Sequence, residues 1–312
     1  MNELELIERL TRSLTTNSSV VVGAGDDCAV LDVGFAEEWL LFKTDAVVEN
    51  VHFLKEAEPQ QIGRKAIARC LSDFAAMAGH PSAALVTLGL PEDYDPRFVE
   101  RLYEGMNTIA QTYDVAIAGG ETVANRGGIF LSISMIGKVR KDRCIRRAGA
   151  KPGDALFVTG DLGGSIAGRH LNFEPRLREA QWLAASFPVH AMIDLSDGLA
   201  TDLPHLLTAS KVGAEILADS IPISRSARQR AKESTSAKPP LVAALTDGED
   251  FELLLSVASK DAVPLLDGFK QAFPAVRITC IGRITAEQGL RIRDKQGVRP
   301  FTGHGYVHFE KS

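Results

Sequence analysis

An α/β chain in two domains is the fold class this sequence predicts, and three observations carry it. The length, 312 residues, exceeds that of an ordinary single domain. Strand-like and helix-like segments alternate through both halves. Between the halves, Lys138 to Gly153 is basic and contains glycine, the composition of a boundary. The expected division is an N-terminal unit over residues 1–140 and a C-terminal unit over 141–312.

The elements follow in order. Met1 to Leu10 predicts an acidic amphipathic helix without the basic start of a signal peptide. Ser19–Val22, an acidic glycine turn and Cys28–Leu31 read as strand, turn, strand. Trp39–Phe42 is a strand running into Lys43-Thr-Asp45 and on through Val47 to His52. From Pro59 to Ala78 the apolar spacing turns helical, and Ala83–Leu90 is again a strand. Asp95 and Pro96 supply an N-cap and a first-turn proline for the next helix. Ala116–Ala118 reads as a short strand ending in Gly119-Gly-Glu-Thr122, and Ile129, Leu131, Ile133 and Met135 alternate as another. In the second half, Ala155–Val158 leads into Thr159-Gly-Asp-Leu-Gly-Gly-Ser165, read as a glycine-rich strand-to-helix turn. Residues 223–240 predict an exposed helix and loop. A strand over Phe251–Val257, a helix ending at Phe273 and strands near Val276–Ile284 and Leu290–Arg293 follow.

Composition narrows the class. Apolar residues make up 45%, enough for large cores. A net charge of −5 and the lack of a basic run interleaved with aromatics argue against nucleic-acid binding. Cys28, Cys70, Cys144 and Cys280 are widely spaced and predict free thiols in a reducing cytoplasm. No apolar run approaches the length of a membrane span.

The chemistry centres on Met192-Ile-Asp-Leu-Ser-Asp-Gly-Leu-Ala-Thr-Asp-Leu203. A strand ends in Asp194-Leu-Ser-Asp-Gly198 just before a helix, with Ser196 placed to cap it. Carboxylates beside free N–H groups can hold a metal and an anion together, although the stretch alone also reads as a cap with surplus acid. The same pattern, an apolar strand and then a turn with acids beside Gly, Ser or Thr, recurs at Asp26/Asp27, Asp45, Asp73, Glu121 and Glu249/Asp250. That recurrence fits convergence of hard oxygen ligands on several Mg²⁺ ions and a polyphosphate. There is no Walker-type loop, dinucleotide fingerprint, Gly-x-Ser-x-Gly elbow or His-Glu-x-x-His. Acid clusters without a marked nucleophile favour metal-assisted phosphoryl transfer.

The same residues carry a family resemblance. Gly23-Ala-Gly-Asp-Asp-Cys-Ala-Val30, Thr44-Asp-Ala-Val-Val-Glu-Asn-Val-His-Phe53 and Leu71-Ser-Asp-Phe-Ala-Ala-Met-Ala-Gly-His-Pro81 resemble motifs of the thiamine-monophosphate kinase family. So do Gly119–Thr122, Arg147–Asp154, Ile193–Leu199, Asp247–Leu253 and the terminal Gly305-Tyr-Val-His-Phe309. The resemblance implies the two-domain fold of aminoimidazole ribonucleotide synthetase. In it an N-terminal metal- and ATP-binding domain pairs its mixed sheet into a barrel across a homodimer, and a C-terminal α/β domain closes the cleft. It implies transfer of the γ-phosphoryl of ATP to thiamine monophosphate, with Mg²⁺.

Residue by residue, it implies Asp27, Thr44, Asp45, Asp73, Glu121, Asp194 and Asp197 as metal ligands. It likewise implies Asp27, Asp45 and Asp194 as the catalytic set. Gly120, Glu121, Arg147 and Ser196 would contact ATP; His52, Glu249 and Tyr306 would contact the acceptor, with Asp250 near that end. Two positions depart from the family pattern: Glu121 replaces an aspartate, and Lys43 replaces a small hydroxyl residue. These departures support the alternative, a non-catalytic thiamine-phosphate or nucleotide sensor. Cousins that act through a cysteine near either terminus are disfavoured, because neither end carries one.

Overall fold

The computed structural model describes residues 3–303 and 305–306. After α1 (Glu3–Thr11), the N-terminal half builds β1 (Val20–Val22), β2 (Ala29–Leu31), β3 (Glu38–Val48), α2 (Pro59–Ala76), β4 (His80–Leu90), α3 (Pro96–Thr112), β5 (Ala116–Ala124) and β6 (Phe130–Arg140). Its six-stranded sheet has the order β1-β2-β3-β6-β4-β5. Only β4 and β5 pair in parallel, with α3 as their crossover.

Helices α2 and α3 cover one face, where Ile62, Ile67, Leu71 and Phe74 are fully buried. The two helices lie so close that a Cβ on Gly63 or on Gly105 would meet a backbone carbonyl of the other at 1.9 Å. Asp95 caps α3 by accepting a hydrogen bond from the Arg97 N–H. The other face of the sheet is bare and exposes Phe42, Leu85, Val123 and Ile136.

Two local expectations are corrected. Asp45 does not sit in a turn after strand β3. The strand pairs residue for residue with β6, so Asp45, opposite Ile133, lies within it. Gly119–Thr122 is likewise no turn but the interior of β5. Gly120 is required there, since a Cβ would lie 1.8 Å from the Val86 carbonyl oxygen of β4.

The C-terminal half comprises β7 (Ala155–Thr159), α4 (Arg169–Asn172), α5 (Leu177–Ser186), β8 (Val189–Asp194), α6 (Leu199–Ser210), β9 (Gly213–Leu217), α7 (Arg225–Glu233) and α8 (Pro240–Thr246). It continues through β10 (Leu253–Val257), α9 (Ala262–Ala272), β11 (Ile278–Thr285), β12 (Gly289–Asp294) and β13 (Gly297–Pro300). These strands form one sheet in the order β13-β12-β9-β11-β7-β10-β8.

One face of that sheet packs under α6, with Leu199, Leu203 and Leu206 against Val158, Ile193 and Leu254. Phe157, Met192 and Leu255 on the other face join the same buried cluster as Leu71 and Phe74 of α2. Helix α2 thus touches the sheet strand β3 on one side and α4, α5 and β8 on the other. Among the described residues no helix is long and apolar enough to cross a membrane, and all four cysteines are free thiols.

Candidate active site

Three elements bring three acids together. Asp27 follows the β1 turn, Asp73 sits in the last turns of α2, and Asp194 ends β8. One carboxylate oxygen from each lies within 4.8 Å of the others, and all three residues are buried. Burial, and then the charge of Asp27, pushes the Asp194 carboxyl up to about 7. Burial also lifts Asp73 well above the carboxylate range, against the pull of Lys43.

Cations and a hydroxyl partly offset this crowding. The Lys43 ammonium donates to Asp73 at 2.8 Å, Arg147 donates to Asp27 through Nε at 3.2 Å, and Ser72 Oγ donates to Asp194 at 2.5 Å. Asp27 Oδ2 is buried and has no hydrogen-bond partner. A buried, unpartnered carboxylate oxygen amid two further carboxylates is a donor set suited to a hard dication such as Mg²⁺.

Asp45 flanks this cluster on β3. Burial would raise its carboxyl, but the Arg69 guanidinium, 3.4 Å away, and then Lys43 hold it below the usual range. Arg69 also lies 3.7 Å from Glu249. Past Arg69 opens a cleft of about 360 Å³, lined by His52, Arg69, Ser196, Asp197, Glu249 and Tyr306 among others. His52 is oriented there by the Val48 N–H, which donates to its Nδ1 at 3.1 Å.

The turn that carries Ser196 and Asp197 is built differently from expectation. Helix α6 begins only after Gly198, and Ser196 does not cap it. The buried carboxylate of Asp202 accepts hydrogen bonds from the Asp197 and Gly198 N–H groups at 3.1 and 3.0 Å. Freed from capping, Ser196 faces the cleft. The chain returns over this turn near its C-terminus, where the Tyr306 N–H donates to the Asp197 carbonyl at 3.0 Å. Val307, His308 and Phe309 of the terminal motif lie outside the described residues.

Glu249 of the cleft wall stands at φ 62°, with Phe251 at φ 50°; both are left-handed, an uncommon state for such side chains. Burial disfavours its charge, but a hydrogen bond from His170 and the charges of Lys65 and Arg69 hold its carboxyl down at about 2. Asp250, expected beside it, is turned away. Its carboxylate takes the Arg169 guanidinium at 2.6 Å and the Gly163 N–H at 2.8 Å. The Gly-rich turn at 159–165 therefore cradles protein carboxylates, with Gly164 N–H donating to Asp247 at 3.0 Å.

Within one chain the remaining expected residues stay apart from the cluster. Thr44 and Glu121 project from the bare sheet face. The Thr44 hydroxyl lies 3.3 Å from Ser132 Oγ, and Glu121 takes the Thr122 N–H at 2.9 Å. Strand alternation explains it, since Asp45 and Lys43 point to the α2 side and Thr44 to the other. Gly120 lies on the edge strand β5, three strands from Asp45 and so roughly 14 Å away.

Three residues of α2 were missed by sequence reasoning: Lys65, Arg69 and Ser72. Lys65 and Arg69 precede Asp73 at a spacing of four, a polar stripe on one face of an otherwise apolar helix. That spacing was the available signal.

Residues 25–139 match the family described as AIR synthase related protein, N-terminal domain, and residues 151–295 the corresponding C-terminal domain. The thiamine-monophosphate kinase of Rhodopirellula baltica is 41% identical over 300 residues, covering 93% of this chain and 92% of its own length. The chain belongs to the thiamine-monophosphate kinase family. The Escherichia coli K12 member is 35% identical and is covered over 98% of both chains.

Among solved structures, one described as AaThiL complexed with AMPPCP and TMP superposes with a TM-score of 0.83 at 29% identity. It covers 99% of this chain and 97% of its own. The thiamine-monophosphate kinase of Stenotrophomonas maltophilia gives 0.74 at 30% identity over 93% and 95%. The hydrogenase maturation protein in a HypE-HypF complex shares the fold, at 0.76 and 18% identity over 95% and 99%.

Proposed function

We propose that this protein transfers the γ-phosphoryl group of ATP to thiamine monophosphate, yielding thiamine diphosphate and ADP. The observation that carries the reading is the convergence of Asp27, Asp73 and Asp194. Beside them lies a cleft lined by His52, Glu249 and Tyr306 together with Ser196 and Asp197. The likeness to a kinase structure holding AMPPCP and TMP supports it.

The acceptor is a phosphate oxygen that is already anionic, so the site needs no strong general base. Its task is to bring two polyanions together in line. Asp27, Asp73 and Asp194, flanked by Asp45 and Asp197, would hold Mg²⁺, which when bound supplies charge neutralisation. Arg147 and Ser196 serve the nucleotide, with Arg147 adding a fixed positive charge behind Asp27. Glu249, kept ionised by its basic neighbours, faces the cationic thiamine moiety, with His52 and Tyr306 orienting it.

Gly120, Glu121 and Thr44 enter this scheme through a homodimer. A second copy would cover the bare sheet face that exposes Phe42 and Ile136, and Glu121 would serve the partner's site. On this reading residues 1–140 form the metal, nucleotide and dimer unit, and residues 141–312 close the cleft in a cytoplasmic enzyme.

The test is Mg²⁺-dependent ADP release with and without thiamine monophosphate, with thiamine diphosphate identified directly. Product is expected from the wild type and from neither Asp27→Asn nor Asp194→Asn. The ion pair of Lys43 with Asp73 favours the sensor as the second reading. Tight binding of both ligands without product would establish it.

A further inference from the structure

Lys65 is a charged residue where an apolar one would be ordinary. Its side chain is fully buried in α2, beside Ala66 and Ile67 of the core. Its ammonium donates to the His52 carbonyl at 2.6 Å and to the Glu249 carboxylate at 2.7 Å. His170 Nδ1 lies 3.0 Å from that ammonium and donates to the same carboxylate at 3.0 Å.

The three groups come from separate places: the loop after β3, the 247–252 loop and α4. A single ammonium therefore ties the N-terminal loop that bears His52 to the C-terminal loop that bears Glu249, and His170 of α4 braces the same carboxylate. The ammonium also holds Glu249 in its left-handed backbone state, which an exposed loop would not maintain unaided. Burying a lysine is costly, and an apolar side chain of equal length would fill the same space more cheaply. Its position is explained by what it aligns.

We infer that Lys65 is the positioning residue of the acceptor end of the cleft, setting His52 and Glu249 relative to each other. It acts through them and does not touch the substrate. The inference rests on the functional reading above, in which those two residues contact thiamine monophosphate. It assigns Lys65 to acceptor recognition and not to the nucleotide or the metal cluster.

The experiment compares wild type, Lys65→Met, Glu249→Gln and the double variant in steady-state kinetics, varying each substrate in turn. Lys65→Met is expected to raise the KM for thiamine monophosphate at least tenfold, leaving the KM for ATP within about twofold. In the Glu249→Gln background the same change should add less than about threefold, because the two residues act as one unit. The double variant buries no unpaired carboxylate, and it keeps the comparison available if Lys65→Met alone does not fold. In that case the double variant should match Glu249→Gln within about threefold in acceptor KM. Equal rises in both KM values, or fully multiplicative effects in the cycle, would overturn the inference and leave the kinase reading standing. A wild type that makes no thiamine diphosphate would remove both.

Discussion

The acid cluster should make the protein less stable until a dication binds, and Asp194→Asn measures this. The Asp194 carboxyl moves from an ordinary 3.8 to about 7 in the fold. Each unit corresponds to about 1.4 kcal/mol, so the shift amounts to about 4 kcal/mol. A carboxyl that holds its proton to higher pH when folded than when unfolded costs stability as pH rises. Here the loss runs from about pH 4 to about pH 7 and is complete above that.

Asparagine keeps the size and an acceptor for Ser72 but carries no charge. The shift already contains the pull of Lys43 and Arg147, so the expected gain is up to about 4 kcal/mol, or roughly 8–16 °C in melting temperature. The assay is thermal unfolding by circular dichroism at pH 8, in EDTA and in saturating Mg²⁺. Wild type should melt lower than the variant in EDTA and recover with Mg²⁺. The variant should be nearly indifferent to the ion and inactive as a kinase. A variant that melts at or below wild type in EDTA would refute the argument that this cluster is electrostatically strained.

Three further outcomes follow from other parts of the structure. Lys43→Ser removes the ammonium that competes for Asp73; the Mg²⁺ concentration for half-maximal activity should fall about fivefold, the equivalent of about 1 kcal/mol. An unchanged Mg²⁺ dependence would show that Lys43 and the ion do not compete. Burial, opposed by Glu249, lowers the Lys65 ammonium to about 8. It is charged below that pH and neutral above it, so the KM for thiamine monophosphate should rise above pH 8 while that for ATP stays level. Phe42→Glu places a charge on the bare sheet face; sedimentation should show a dimer in wild type and a monomer in the variant, and identical profiles would place the interface elsewhere.

Most elements of the N-terminal half were legible from strand and helix periodicity, while α5, β9 and β13 of the C-terminal half were not; of the six acidic turns read as convergent, three supply Asp27, Asp73 and Asp194 to one cluster. What escaped at the site was mostly a matter of where strands stop. Polar residues at Lys43-Thr-Asp45 and Gly119–Thr122 read as turns, yet backbone pairing with β6 and β4 carries the strands through them. Once β3 is seen to reach Val48, alternation alone separates Thr44 from Asp45. Ser196 was read as a cap because serine commonly is one; Asp202, which does that work from within the helix, has no such signature. Asp250 and Glu249 are sequence neighbours with opposite fates, decided by a left-handed backbone that no residue-type rule foretells. Lys65 was invisible for a different reason. A lysine on a helix is ordinarily solvated, and only the C-terminal half, arriving from far along the chain, buries it.

The stripe of Lys65, Arg69 and Asp73 on α2 has a metric consequence. Eight residues of α-helix separate its ends by about 12 Å, and the helix is packed by both halves of the molecule. Lys65 marks the end where Glu249 waits, and Asp73 the end where the carboxylates converge. A ligand that satisfies both is gauged against a rigid rod whose length is set by backbone hydrogen bonds. Acceptors with a shorter or longer tether between cation and phosphate would engage one end and miss the other. A single inserted residue would swing the two ends about 100° out of line, so this helix is where the chain should tolerate insertions least.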